Sequence, residues 1–280
     1  MVYRSRVRQT GGVRGVATIG LLAAVATSAR PARAGIASSG PPQESSVGAP
    51  SRLGVESVAA SFDLQGQKGV FLGFAARGDY RFNHRVSLRL EVPVYTVHLD
   101  GLGTNAGSTH TGLGDIELRM RALVLDSHDW RVSAGIADQL PTGATSTGLG
   151  QGATQLTPYV TGGYRYRHLV VYGTVGEALT VRPPNAVTLP DWVDPSTDNE
   201  LRYTLGAVYE FSELAYGNAI VTGITELVSG SLGRSLCTGG ASLGVVPSDR
   251  LKIVGGFQLP IAGERRFDLK VLVSLYYFFQ

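Results

Sequence analysis

Along most of its length this chain alternates apolar and polar side chains with a period of two. About twelve separate runs can be marked off, Leu169 to Leu179 and Ala219 to Val228 with poor alternation, and no run keeps a helical period. The stretch from Gly112 to Gly143 shows the pattern most clearly. Ile116, Leu118, Met120, Ala122 and Val124 fall on one face of an extended strand, and Asp115, Glu117, Arg119 and Arg121 on the other. Asp126-Ser127-His128-Asp129 makes a polar turn, and the chain returns with Trp130, Val132, Ala134 and Ile136 against Arg131, Ser133 and Gly135. Leu140-Pro141-Thr142-Gly143 then opens a Gly/Thr-rich loop. A chain built this way folds as hairpins, and the question is which face meets the core.

The N-terminal segment bears on that question. Arg4, Arg6, Arg8 and Arg14 precede an apolar run from about Val16 to Ala26, and Ala32-Arg33-Ala34 has the form of a small-residue cleavage site. The spacing predicts a secretory signal peptide over residues 1–34; the run is too short for a membrane-spanning helix, which takes about 20 residues. Residues 35–52, rich in Gly, Ser and Pro, are expected to be a flexible periplasmic leader, and residues 53–280 a single domain. The full chain carries 25 Lys+Arg against 22 Asp+Glu. Six arginines and no acid lie in residues 1–34, so the remainder has 19 − 22 = −3. The basic excess is thus a targeting feature, and it excludes a nucleic-acid footprint. The single cysteine, Cys237, has no partner for an internal disulfide.

The runs are close to the 9–11 residues that a tilted strand needs to cross a bilayer. Their connections alternate in length. Asn83-His84, Asp126 to Asp129, Arg167-His168, Ser212 to Asn218 and Pro247 to Arg250 are short. Leu99 to Thr111, Thr142 to Gln155 and Thr180 to Asn199 are long and fall at the opposite end. Aromatic residues gather near the short turns: Tyr80, Phe82, Trp130, Tyr164, Tyr166, Tyr209, Phe211, Tyr277 and Phe279. A secreted β-sandwich would alternate too, but the aromatic belt and polar faces rich in Arg and Glu favour a barrel. An open sheet edge in lipid leaves donors and acceptors unpaired at several kcal/mol each, roughly, so the first strand must pair with the last. The expectation is an all-β chain, a closed antiparallel transmembrane β-barrel of about twelve strands in the bacterial outer membrane. Its first run is expected to turn Val58, Ala60 and Phe62 toward lipid. The final run, Val271 to Phe279, looks like the aromatic-terminated strand that the outer-membrane barrel assembly machinery recognises, with Gln280 after it.

Gly112-Leu113-Gly114-Asp115-Ile116, Leu140-Pro141-Thr142-Gly143 and Gly148-Leu149-Gly150-Gln151-Gly152, in this order and spacing, carry a family resemblance. The stretch resembles the outer-membrane barrel family linked to the meta-cleavage pathway of phenol degradation. The resemblance implies a transporter or channel for aromatic or other small compounds, and attaches no catalytic residue to these motifs. Read by themselves, the glycines serve tight backbone geometry at loop–strand junctions.

Other motifs fail their context. Gly148-x-Gly150-x-Gly152 lacks a βαβ unit, and Gly240-x-Ser242-x-Gly244 lies inside a strand pattern with no histidine beyond His168. The five histidines have no metal-ligand spacing, and Asp191, Asp194, Asp198 and Glu200 read as an acidic external loop without a calcium-hand pattern. No catalytic constellation, cofactor site or metal site is therefore expected. Function is expected in the lumen, lined by Arg77, Arg89, Glu91, Asp115, Glu117, Arg119, Arg121, Arg131, Arg165, Arg202 and Glu210, with Asp79, Arg81, Lys252, Asp268 and Lys270 also turned inward. Arg89 and Glu91 should lie beside Glu117, Arg119 and Arg121, and those beside Arg131. Such a lumen is either a charged constriction that filters small solutes, aromatic or carboxylated ones among them, or a salt-bridge network that plugs a structural or surface-interaction barrel. The apolar residues Leu99, Leu102, Val187, Leu189, Trp192 and Val193 are the loop candidates for a hydrophobic ledge. Partners are expected to be the bilayer and its lipids, the assembly machinery and a small-molecule solute.

Overall fold

The computed structural model describes residues 51–64, 67–101, 107–181, 192–193, 199–227, 235–263 and 265–279. The expected signal peptide lies outside the described residues, as does the leader apart from Ser51 and Arg52. Almost everything described is strand. The segments are β1 (Ser51–Leu64), β2 (Gln67–Arg81), β3 (Val86–Leu99), β4 (Ser108–Leu113), β5 (Ile116–Asp126), β6 (Trp130–Leu140), β7 (Thr154–Tyr166), β8 (Leu169–Val181), β9 (Asn199–Ser212), β10 (Ala215–Glu226), β11 (Ser235–Ser248), β12 (Leu251–Gly263) and β13 (Leu269–Phe279). Both β4 and β5 pair with β3, with Gly114-Asp115 between them, so they form one wall strand and the wall has twelve.

All pairings are antiparallel and join neighbours in the chain, save the last: β1 pairs with β13 from Ser51↔Phe279 to Ser61↔Leu269. The sheet is therefore a closed barrel without a free edge, which is how a sheet satisfies its backbone in lipid. The connections after β2, β5, β7, β9 and β11 are short and share one end; the long ones lie at the other, together with the short step from β1 to β2. Arg167, with φ 52°, makes the two-residue turn between β7 and β8.

The outer face is apolar. Leu72, Phe74, Leu90, Met120, Val160, Leu205, Leu243, Val273 and Leu275 all stand exposed on it. At the short-turn end the aromatic belt faces outward, with Tyr80 against Phe82 at 5.2 Å, Trp130 against Tyr164 at 4.8 Å and Tyr209 against Phe211 at 5.4 Å. Amphipathic rings of this kind belong at a membrane interface. Cys237 is on the outer face beside Ala262.

One expected face is reversed. Val58, Ala60 and Phe62 of β1 point into the barrel, and Leu53 and Val55 point out. The physical reason is that the long-loop end of the interior is itself apolar. Ala60, Phe62, Phe71 and Val97 pack there with Leu149 from the β6–β7 loop. Ser57 and Ser61 turn outward here, opposite the exposed Phe74 and Val70, so alternation read as apolar-out assigns the two faces the wrong way round.

Tyrosine and glycine face each other across strands at Gly54↔Tyr276, Gly73↔Tyr95, Gly135↔Tyr159, Tyr172↔Gly206 and Tyr216↔Gly244, all within the barrel. In each pair a side chain on the glycine would run into the tyrosine ring. The rings therefore lie over the facing glycines, along the inside of the wall.

Candidate functional site: the lumen and its mouth

The charged residues of β1, β2, β3 and β5 meet because register puts them there. Arg52↔Asp79↔Arg89 and Arg77↔Glu91 are directly opposed, and Glu56 stands one pair away from Arg77. Asp79 accepts from Arg52 Nε and from Arg89 Nε, each at 2.7 Å. Arg77 donates to Glu91 through Nε and to Glu56 through Nη1, each at 2.6 Å, and its Nη1 also reaches the Tyr276 hydroxyl at 3.3 Å. Glu56 further accepts from Ser274 Oγ at 3.0 Å. Short charge-assisted bonds of this kind, with Asp79, Arg77 and Glu56 each holding at least two partners, offset the loss of bulk water around buried charges.

The next strand continues the belt. Arg89↔Arg119 and Glu91↔Glu117 put like charges opposite each other. Arg119 folds back on Glu117 of its own strand at 3.0 Å, and its guanidinium lies 5.4 Å over the Tyr159 ring. Arg121 is buried on the same face. Arg52 and Lys252, both fully buried, lie over the rings of Tyr276 and Tyr216 at 4.7 Å. Those rings, with Tyr172, Val208, Val254 and Phe278, form an apolar cluster that adjoins the belt where β13 meets β1.

Other expected lumen residues lie apart from this belt. Arg165 makes a two-pronged contact with Glu210, both bonds at 3.2 Å, close to the short-turn rim. Arg131 does not join the belt: it stands exposed at that rim and pairs with Asp126 at 3.0 Å, because the wall ends there. Arg202 faces the interior near the long-loop end, where it and Arg266 hold Glu200 at 3.0 and 3.6 Å. Glu200, expected in an external loop, is fully buried within β9. Asp191, Asp194 and Asp198 lie outside the described residues. Asp268 is exposed at the start of β13.

Asp115 does different work from that expected of it. Its carboxylate lies at the break in the fourth wall strand and accepts the Gly143 N–H through Oδ1 and the Gln151 N–H through Oδ2, both at 2.8 Å. Thr142 Oγ1 accepts from Ile116 N–H at 2.9 Å and donates to Gly114 O at 3.2 Å. A Cβ on Gly143 would come within 2.8 Å of Gly150 Cα, so the two glycines let the loop close on itself. Gly148 and Gly152 have φ of 69° and 64°, backbone that side chains disfavour. The three glycine-rich motifs of the sequence are therefore one folded unit, residues 112–116 and 140–152. It tucks Leu149 into the apolar cluster at the mouth, with 1 % of its surface exposed. Leu99, Trp192 and Val193 pack on that cluster, and the rings of Trp192 and Phe62 stack at 6.1 Å. Leu102, Val187 and Leu189 lie outside the described residues.

Space remains beside the belt. A cavity of about 220 Å³ is lined by Glu117, Arg119, Gln139, Gln155, Tyr159 and Arg202, together with threonines. A second, of about 150 Å³, lies under the mouth against Phe71, Val193 and Phe267, with Arg266 and Lys270 in its wall. Thr222 and Ile224 line both. Arg119, Arg202, Arg266 and Lys270 thus face the open space against the single carboxylate of Glu117.

The sequence reading did not single out Arg52, Glu56 or Arg266. Glu56 was visible in principle, two residues from both Gly54 and Val58, but β1 starts earlier than the leader composition suggested.

The chain matches no protein-family model and no curated protein. Solved structures do resemble it. A crystallised outer membrane channel from Pseudomonas putida F1 aligns over 82% of this chain and 95% of its own, at 10% identity and a TM-score of 0.65. The NanC porin aligns over 81% and 100% at 9% identity and 0.56. The KdgM porin, solved with oligogalacturonate, aligns over 81% and 99% at 11% identity and 0.52. At such identities the likeness is one of fold, and by fold the chain is a closed twelve-stranded β-barrel of the outer-membrane type.

Proposed function

We propose that the protein is an outer-membrane channel for small solutes, with carboxylated ones preferred. The observation that carries this reading is the cavity pair: open space inside a closed wall, faced by four cationic side chains and one carboxylate. A structural plug has no need of such space. The ion pairs of the belt hold one side of the lumen rigid and leave the other side to the solute. The loop clamped by Asp115 narrows the mouth, which makes the passage a filter more than a wide pore.

A second reading, uptake of aromatic compounds, rests on the stacked Phe62 and Trp192 in the mouth cluster and on the motif resemblance to the barrel family linked to phenol degradation. Of the residues expected to set selectivity, Arg119 and Arg202 are favoured because both line open space, while Arg77, Arg89, Glu91 and Arg121 serve the supporting belt. Orientation follows from loop length: the short turns face the periplasm and the clamped loop faces outward. Liposome swelling with neutral, acidic and aromatic solutes of similar size tests the reading. Faster entry of the acids supports it, and swelling no different from protein-free liposomes overturns it.

A further inference from the structure

The wall facing the charged belt carries a feature that the channel reading leaves unused. Ser133, Thr161, Thr174, Thr204, Thr222 and Thr238 are successive register partners on β6 to β11, one hydroxyl per strand, all turned inward. Ser133 lies three residues from the short-turn end of β6, and Thr238 three residues from the long-loop end of β11. Strands in a closed barrel tilt, so a row that follows the hydrogen-bonding direction spirals up the wall. Its hydroxyls recur about every 4.8 Å, the spacing of neighbouring strands.

Both cavities lie on this row. Thr174, Thr204 and Thr222 line the larger one, and Thr222 and Thr238 the smaller. Thr161 and Thr174 bond to each other at 2.9 Å, and Thr222 and Thr238 at 2.5 Å. Thr204, between the two pairs, belongs to neither, and it faces the larger cavity. The side-chain amides of Gln139 and Gln155 and the hydroxyl of Thr157 join it there, with Arg119 and Arg202 within the same walls. A lining of neutral donors and acceptors next to guanidiniums suits a solute carrying both hydroxyls and a carboxylate.

We propose that this row is a hydroxyl track along which small polyhydroxylated carboxylates pass between the two cavities. The proposal rests on the channel reading above and names its substrate class. Each hydroxyl leaving one track position finds the next a strand away, so the solute exchanges hydrogen bonds without returning fully to water. A carboxylate of equal length without hydroxyls would desolvate the same threonines and give nothing back.

The test uses the full chain in planar bilayers, with reversal potentials under bi-ionic gluconate and hexanoate, both six-carbon monovalent carboxylates. Gluconate, although larger, is expected to permeate about fivefold better, roughly the worth of one net hydrogen bond. Combined Thr174→Val, Thr204→Val and Thr222→Val should bring the ratio to about one, and the corresponding serine variants should restore it. If the triple variant fails to fold, Thr204→Val alone is compared with Thr204→Ser. A wild-type ratio at or below one, or a ratio that the valine variants leave in place, overturns the track while the channel stands. Absence of any anion current removes the channel reading, and the track with it.

Discussion

At the residue scale, Asp115 pins a loop at the long-loop end of the barrel. It holds two backbone N–H groups of the loop that carries Leu149 into the mouth. Bonds to a charged acceptor contribute about 1.5–3 kcal/mol each. Asp115→Ala is therefore expected to raise the population of the open loop at least about tenfold, by the conversion of about 1.4 kcal/mol to a factor of ten. The rate of limited proteolysis within residues 141–153 would show this, and a rate equal to wild type would contradict it. The belt offers a second prediction. Arg77 joins the half-buried Glu56 and Glu91, so Arg77→Leu takes the cation from both carboxylates and should destabilise the barrel by about 1–3 kcal/mol in urea unfolding from lipid vesicles. The sequence showed Asp115 as one more acid in an alternating run, because the N–H groups it holds belong to a loop that alternation does not describe. Glu117, Arg119 and Arg121 were legible because β5 keeps its register as far as Leu123.

At the element scale, each strand has a lipid face and a lumen face, and the two respond differently to substitution. Val273 lies near the middle of β13 on the outer face. Val273→Arg should cost about 2–4 kcal/mol, the range for a cation on the lipid face near the midplane. The tyrosine–glycine pairs give a lumen-side counterpart. A side chain on Gly206 would occupy the place of the Tyr172 ring, so Gly206→Val should destabilise by about 1–3 kcal/mol through overpacking. Both costs are read as shifts in the urea midpoint at constant slope. Apolar runs between turns located all twelve wall strands, although alternation assigned no faces in Leu169 to Leu179 or Ala219 to Val228. It misplaced the face of β1, where Val58, Ala60 and Phe62 support the mouth from within. It also left the glycines as general bends, because their partners are set by cross-strand register, which a single run of sequence does not contain.

At the scale of the whole molecule, closure was legible and the contents of the barrel were not. An even number of alternating runs with short turns at one end requires a ring once lipid is the solvent. What fills the ring depends on which loops fold inward and which ion pairs form across several strands. The inward placement of Leu149 and the gathering of Arg52, Asp79 and Arg89 on one side are tertiary outcomes of that kind. The closed wall is proposed to leave an anion-preferring passage beside its charged belt. Single-channel recording of the purified protein in planar bilayers under a salt gradient decides this: a small conductance with a reversal potential on the anion side is expected, and a silent bilayer or a reversal potential on the cation side would overturn it.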